Sequence, residues 1–102
     1  MSDQKRDVIN LQEENTKKVY EAIASERAFV AKMEAKGGTH IVKDFPLGSG
    51  LAALQQKLNV ALNMWYNGQQ PHTETMAEIR KMAGICVAMG EQYGMPMRED
   101  NV

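Results

Sequence analysis

Cysteine is all but missing from this 102-residue chain, with Cys86 its only representative. One thiol forms no intrachain disulfide and no multi-cysteine zinc site, and it suits a reducing compartment. Charge of one sign is missing too: 12 Lys and Arg stand against 13 Asp and Glu, a formal charge of -1, which disfavours a general polyanion binder. No apolar run approaches the roughly 18 residues of a membrane span. The opening Met1-Ser2-Asp3-Gln4-Lys5-Arg6-Asp7 lacks the apolar stretch of a secretory signal, so the expectation is a cytoplasmic protein with no membrane partner. Catalytic signatures are absent as well: there is no Walker loop, no dinucleotide fingerprint, no His-Glu-x-x-His and no nucleophile elbow.

What is present is an ordinary globular composition, 43% hydrophobic, at a length that accommodates one domain over residues 1–102. Residues 5–36 contain no Gly or Pro and are dense in Glu, Lys, Ala, Gln and Arg, which predicts one long helix. Val8, Leu11, Val19, Ala22, Ile23, Phe29, Val30 and Met33 recur at three- and four-residue steps along one side of it. Asp3 and Asp7 at its start and Lys32 and Lys36 at its end follow the helix dipole, and Gly37-Gly38 offers the positive φ that stops a helix.

A loop over 37–50 follows, expected to be ordered by Phe45 and Leu47 packing beneath the helices. Residues 39–43 could form a short strand, but the chain holds no second β-rich segment to pair with it. Leu51, Leu54, Leu58, Leu62 and Trp65, with Ala61 beside them, predict the main core helix over 51–66, capped by Ser49. A third helix over 73–93 carries Met76, Ile79, Met82, Ala83, Cys86, Met89 and Tyr93, with Thr75 and Glu78 as a capping box and Gly94 and Pro96 ending it before a short tail. The predicted class is all-α: a long amino-terminal helix plus a two-helix hairpin, joined by an ordered loop.

The chemistry-bearing residues are scattered. Gly48-Ser49-Gly50 lacks the Lys of a phosphate loop and reads as a cap. His40 and His72 are isolated and fit solvated side chains better than metal ligands. Cys86, on the apolar stripe of the third helix, is expected to be buried and inert. Glu13, Glu14, Glu21, Glu26 and Glu34 raise the possibility of a magnesium-dependent nucleotide hydrolase, which needs carboxylates converging on one face. Glu13, Glu14 and Glu21 instead alternate with Lys17, Lys18 and Arg27, the pattern of a solvated face, and the third helix adds only Glu74, Glu78 and Glu91. No catalytic, cofactor or metal residue is assigned. Helix-turn-helix binding of DNA fares little better. The connection from Asn67 to Thr73 is long for it, and Glu74 and Glu78 open the would-be recognition helix, leaving only Arg80 and Lys81.

Methionine is abundant, with eight in the chain and five of them, Met76, Met82, Met89, Met95 and Met97, in the last third. Met76, Met82 and Met89 are expected to fill the core, while Met95 and Met97 lie past the helix stop, where flexible thioethers suit an adaptable contact surface. Gly84 and Ala88, one turn apart, would let a crossing helix approach closely.

Trp65-Tyr66-Asn67-Gly68-Gln69-Gln70-Pro71, with the later Gly90-Glu91-Gln92-Tyr93-Gly94-Met95-Pro96-Met97-Arg98, resembles the carboxyl half of small helical accessory proteins of temperate phages of enteric bacteria. The resemblance covers about half of the chain and leaves the first helix unmatched. It implies a protein that binds a host or phage macromolecule, such as a nuclease, a defence complex or a replication component, and it implies no catalytic residues.

The expected function is non-catalytic protein–protein interaction, as an inhibitor or adaptor of a larger complex. A small nucleic-acid-associated regulator is the alternative, and a metal-dependent hydrolase the third reading. Candidate partner-binding residues are Tyr66, Gln69, Gln70, Tyr93, Met95, Met97 and Arg98, in two patches at opposite ends of the hairpin, with Trp65 at least half buried beside Tyr66. Homodimerisation is expected through Val8, Leu11, Asn15 and Val19, because a first helix of about 48 Å overhangs a second of about 25 Å. Asn15 falls at a seam position where an amide can set register.

Overall fold

The computed structural model describes residues 3–37, 45–68 and 72–99 and builds them into three helices: α1 (Asp3–Ala35), α2 (Leu47–Asn67) and α3 (Thr73–Tyr93). No strand occurs among the described residues, and the possible strand at 39–43 lies outside them, as does His40. The all-α class and the long first helix are those the periodicity predicts. α1 ends where the glycine pair calls for it: the Lys36 N–H donates to the Met33 carbonyl at 3.1 Å, the Gly37 N–H donates to the Glu34 carbonyl at 2.9 Å, and Gly37 takes φ +85°.

α2 starts at Leu47, four residues before the expected Leu51. Pro46 opens it in extended backbone with φ fixed at -63°, and the Ser49 N–H already donates to the Pro46 carbonyl at 2.9 Å. Ser49 is therefore inside the helix and caps nothing. Gly48 and Gly50 read as turn residues, but Gly50 is a packing residue: a Cβ there would sit 2.8 Å from Met89 Sδ and 3.1 Å from the Phe45 ring. α3 begins at Thr73 with His72 before it, so Thr75 and Glu78 form no capping box; Glu78 turns inward and is buried.

α2 and α3 form the expected antiparallel hairpin. Phe45, just ahead of α2, is held by the end of α3: its N–H donates to Gln92 Oε1 at 3.0 Å, and its carbonyl accepts from Gln92 Nε2 at 2.6 Å and from the Tyr93 hydroxyl. The Phe45 and Tyr93 rings meet edge to face at 6.2 Å. Midway along α2 Lys57 reaches towards Glu78, 3.9 Å away, and Lys81 pairs with the same carboxylate at 2.9 Å.

Among the described residues α1 packs on α3 and makes no close approach to α2. Its contact half runs through Ile23, Glu26, Arg27, Val30, Met33 and Glu34, the positions that are partly or fully covered. Gly84 and Ala88 receive it, as their small size suggests: a Cβ on Gly84 would lie 3.0 Å from Glu26 Cγ. The pairing is ionic at its edges. Glu26 Oε1 accepts from Arg80 Nε at 2.9 Å, and Arg27 Nη2 meets Glu91 Oε1 at 3.1 Å. Glu26 and Arg27 are thus cross-helix partners and not part of a solvated face.

The core is small. Phe45, Ala61 and Ala88 are the buried hydrophobic residues among those described, and no large side chain is fully covered. The inner face of α2 runs through Gly50, Ala53, Leu54, Lys57, Ala61 and Met64, one step around from the leucine stripe, so Leu51, Leu58, Leu62 and Trp65 are exposed. Leu47, expected under the helices, is 44% exposed, and Met76, expected in the core, is exposed as well. Both expectations are corrected for one reason: a helix contact built on Gly and Ala turns its larger residues to the flanks. The molecule measures 52 × 38 × 28 Å with a radius of gyration of 16.7 Å, against about 13 Å for a compact chain of this length.

Two substitutions test this packing. Phe45→Ala removes the one large apolar side chain that is buried and is expected to destabilise the fold by about 3 kcal/mol, read by urea unfolding. An unchanged midpoint would place Phe45 outside the core. Gly84→Leu forces a side chain into the Glu26 stem and is expected to cost about 1–3 kcal/mol and to raise hydrogen exchange in the Ile23–Glu34 half of α1. Exchange unchanged from the parent would mean that α1 does not rest on this glycine.

Candidate functional site

Large apolar surface on the outside is the feature that sets the candidate site. Among the described residues eighteen large hydrophobic or aromatic side chains are exposed, against a single one, Phe45, that is buried. Scattered exposed hydrophobics are normal, but contiguous ones mark contact surfaces. Most of them fall into three groups.

The first is the free arm of α1. Every described side chain from Val8 to Ala22 is exposed, including Val8, Leu11, Asn15 and Val19, the residues expected to form a dimer seam. Ile9, Thr16 and Tyr20 line a shallow hollow on the adjoining side. Among the described residues, the partly or fully covered positions of α1 all lie beyond this arm, from Ile23 to Glu34.

The second group is the outer face shared by α2 and α3. Leu54, Gln55, Leu58 and Asn59 on one helix and Ile79, Met82, Ala83 and Cys86 on the other line an open groove of 520 Å³. Cys86 is exposed there, which corrects the expectation of a buried thiol: the α3 stripe that carries it faces out, while Gly84 and Ala88 face α1. Nothing in the sequence reading singled this groove out as a site. Its signal was nonetheless present, because the 21 residues of α2 hold one charged side chain, Lys57, and that one is directed at Glu78.

The third group sits at the two ends of the hairpin. Tyr66 is 76% exposed, and its ring packs on Trp65 with centroids 5.0 Å apart. Trp65 is itself 53% exposed, slightly more than expected, so the two rings make one aromatic patch rather than a core residue beside a free anchor. Gln69 and Gln70 lie outside the described residues. At the opposite end Tyr93 is engaged on Phe45, with about half of its surface still open. Met95 folds back over Gly90 and Met97 is 90% exposed beside exposed Arg98. The structure separates Tyr66 from Tyr93, Met95, Met97 and Arg98 by the length of α2, about 30 Å for its 21 residues.

Among the described residues no three His, Cys, Asp or Glu side chains lie together as a metal site would require, and no helix is long and apolar enough to cross a membrane. Among the described residues Glu26 and Glu78 are buried and turned to Arg or Lys, and Glu34 Oε2 is also buried, without a hydrogen-bond partner. Glu78 Oε2 has no hydrogen-bond partner, with Lys57 Nζ 3.9 Å away. Comparison with known protein families, with characterised proteins and with solved structures finds no match to this chain.

Proposed function

We propose that this chain is a non-catalytic protein–protein interaction protein, a cytoplasmic homodimer that inhibits or adapts a larger macromolecular complex. The observation that carries the reading is the exposure of eighteen large apolar or aromatic side chains among the described residues, around a core of only Phe45, Ala61 and Ala88. A protomer of 11.4 kDa exposes 8324 Å², against about 5,800 Å² for a compact monomer of that mass.

The partner is a protein rather than a nucleic acid, because the exposed faces are neutral or of mixed charge. The arm of α1 alternates Glu13, Glu14 and Glu21 with Lys17 and Lys18, and the one cation of α2 is directed at Glu78. A phosphate backbone would require cations gathered on one face. The likeness of the Trp65–Pro71 and Gly90–Arg98 segments to small phage accessory proteins points the same way, towards a nuclease, a defence complex or a replication component of a bacterial host.

The test is recovery of partners by the tagged full chain from a bacterial lysate, at physiological salt and at about 0.5 M, where charge attraction is largely screened. The expected result is a protein retained at both salt levels by the parent and released by Leu11→Asp with Val19→Asp on the exposed arm. Tyr66→Ala, and Met97→Ala with Arg98→Ala, are expected to leave the fold intact and to show whether the hairpin ends share in the contact. Recovery of nucleic acid alone, lost on raising the salt, would overturn the reading in favour of the nucleic-acid regulator.

A further inference from the structure

We infer that α1 is a releasable strap: its docked half, residues 23–34, lifts off α3 as one unit under ionic control while the α2–α3 hairpin stays closed. Neither a partner nor a second copy is needed for this. α3 is held in two different ways on its two sides. Towards α2 the hold is packing and hydrogen bonding: Met89 lies against Gly50, Ala61 is buried, and Gln92 and the Tyr93 hydroxyl bind the backbone of Phe45. None of these groups belongs to α1. Towards α1 the helix offers Gly84 and Ala88, with Arg80 and Glu91 as ionic partners. Among the described residues α1 brings no buried apolar side chain to that contact; Ile23, Val30 and Met33 are partly covered, and its one buried residue is Glu26.

Charge decides the balance of the α1 contact. Docking takes the Glu26 carboxylate out of water, and that cost offsets much of its attraction to Arg80, 2.9 Å away. Release returns the carboxylate to water. The second pair, Arg27 with Glu91 at 3.1 Å, has one partner 60% exposed, so salt screens it. Little apolar area is re-exposed when the strap lifts, whereas opening the hairpin would expose Phe45 and Ala61 and break the hydrogen bonds to Gln92 and Tyr93. Residues 23–34 therefore form the unit of lower stability, the kind that opens locally in a native chain. Lifting uncovers Gly84 and Ala88 and frees Arg80 and Glu91 on α3.

Region-resolved hydrogen exchange on the full chain tests the strap. Protection of residues 23–34 is expected to lie about tenfold or more below that of residues 78–90 on α3. Raising KCl from about 0.05 M to about 0.5 M is expected to lower it by a further factor of about three or more, with residues 78–90 unchanged. Equal protection of the two segments would make the chain one cooperative unit and overturn the proposal. A strap that opens without responding to salt overturns the ionic control.

Two variants separate charge from packing. Arg27→Glu sets like charges opposite Glu91 and is expected to lower the protection of residues 23–34 by about fivefold or more at low salt. Arg27→Glu with Glu91→Arg restores the attraction in reverse and is expected to close the strap again, which it would not do if the packed stem of Arg27 were what mattered. Protection unchanged in Arg27→Glu, or not recovered in the exchanged pair, overturns the ionic control. Protection lost from residues 78–90 together with 23–34 in Arg27→Glu overturns the strap itself, because the hairpin would then depend on α1.

Discussion

The three helices meet through their smallest residues, and the rest of the structure depends on that closeness. Gly50 admits Met89 and the Phe45 ring between α2 and α3, and Gly84 admits the stem of Glu26 between α1 and α3. Ala61 and Ala88 complete the contacts. Small residues let backbones approach, but they bring little apolar area of their own, at roughly 25 cal/mol for each Å² removed from water. The large side chains are forced to the flanks of each contact. That geometry leaves Leu51, Leu58 and Leu62 outside.

Ion pairs do not make up the difference. Arg80 is 41% exposed in its pair with Glu26, and Glu91 is 60% exposed in its pair with Arg27, so solvent screens both and each contributes at most about 1 kcal/mol. What they add is register. Glu26 and Arg27 are neighbours on α1 that reach opposite ways along α3, to Arg80 and to Glu91, which fixes where α1 lies on α3 without binding it strongly.

Helix identity was legible in the sequence to the extent that it rests on local chemistry. The unbroken run of helix formers over 5–36, the stop at Gly37 and the stop at Gly94 follow from backbone preference, and both glycines take the positive φ that such stops use. Which face of a helix is inside follows from tertiary contacts, and there periodicity misled. The leucine stripe of α2 is the more apolar of two faces with helical spacing, yet the inner face runs through Gly50, Leu54, Lys57 and Ala61 and shares only Leu54 with it. Ser49 stands just before the leucine stripe and so reads as a cap; Gly50 makes room for Met89, a reason invisible without the partner helix. Of the surface residues, Tyr66, Met95, Met97 and Arg98 were legible as exposed because they sit at a helix end or past one, and Cys86 was not, because its exposure depends on which side of α3 receives α1.

The resulting polarity is inverted for a soluble monomer. Charged Glu26 and Glu78 lie inside, where a carboxylate is costly to desolvate, while leucine lies outside, where water gains nothing from it. Glu78 shows the cost directly, with one oxygen hydrogen-bonded to Lys81 and the other without a hydrogen bond and 3.9 Å from Lys57. A monomer gains little from such an arrangement, because replacing buried ion pairs with well-packed apolar residues is often neutral or stabilising. In the proposed homodimer, a contact that covers the exposed leucines would supply the apolar area that the contacts within each protomer lack. Stability and partner binding would then draw on the same surfaces, so protomer concentration would govern both.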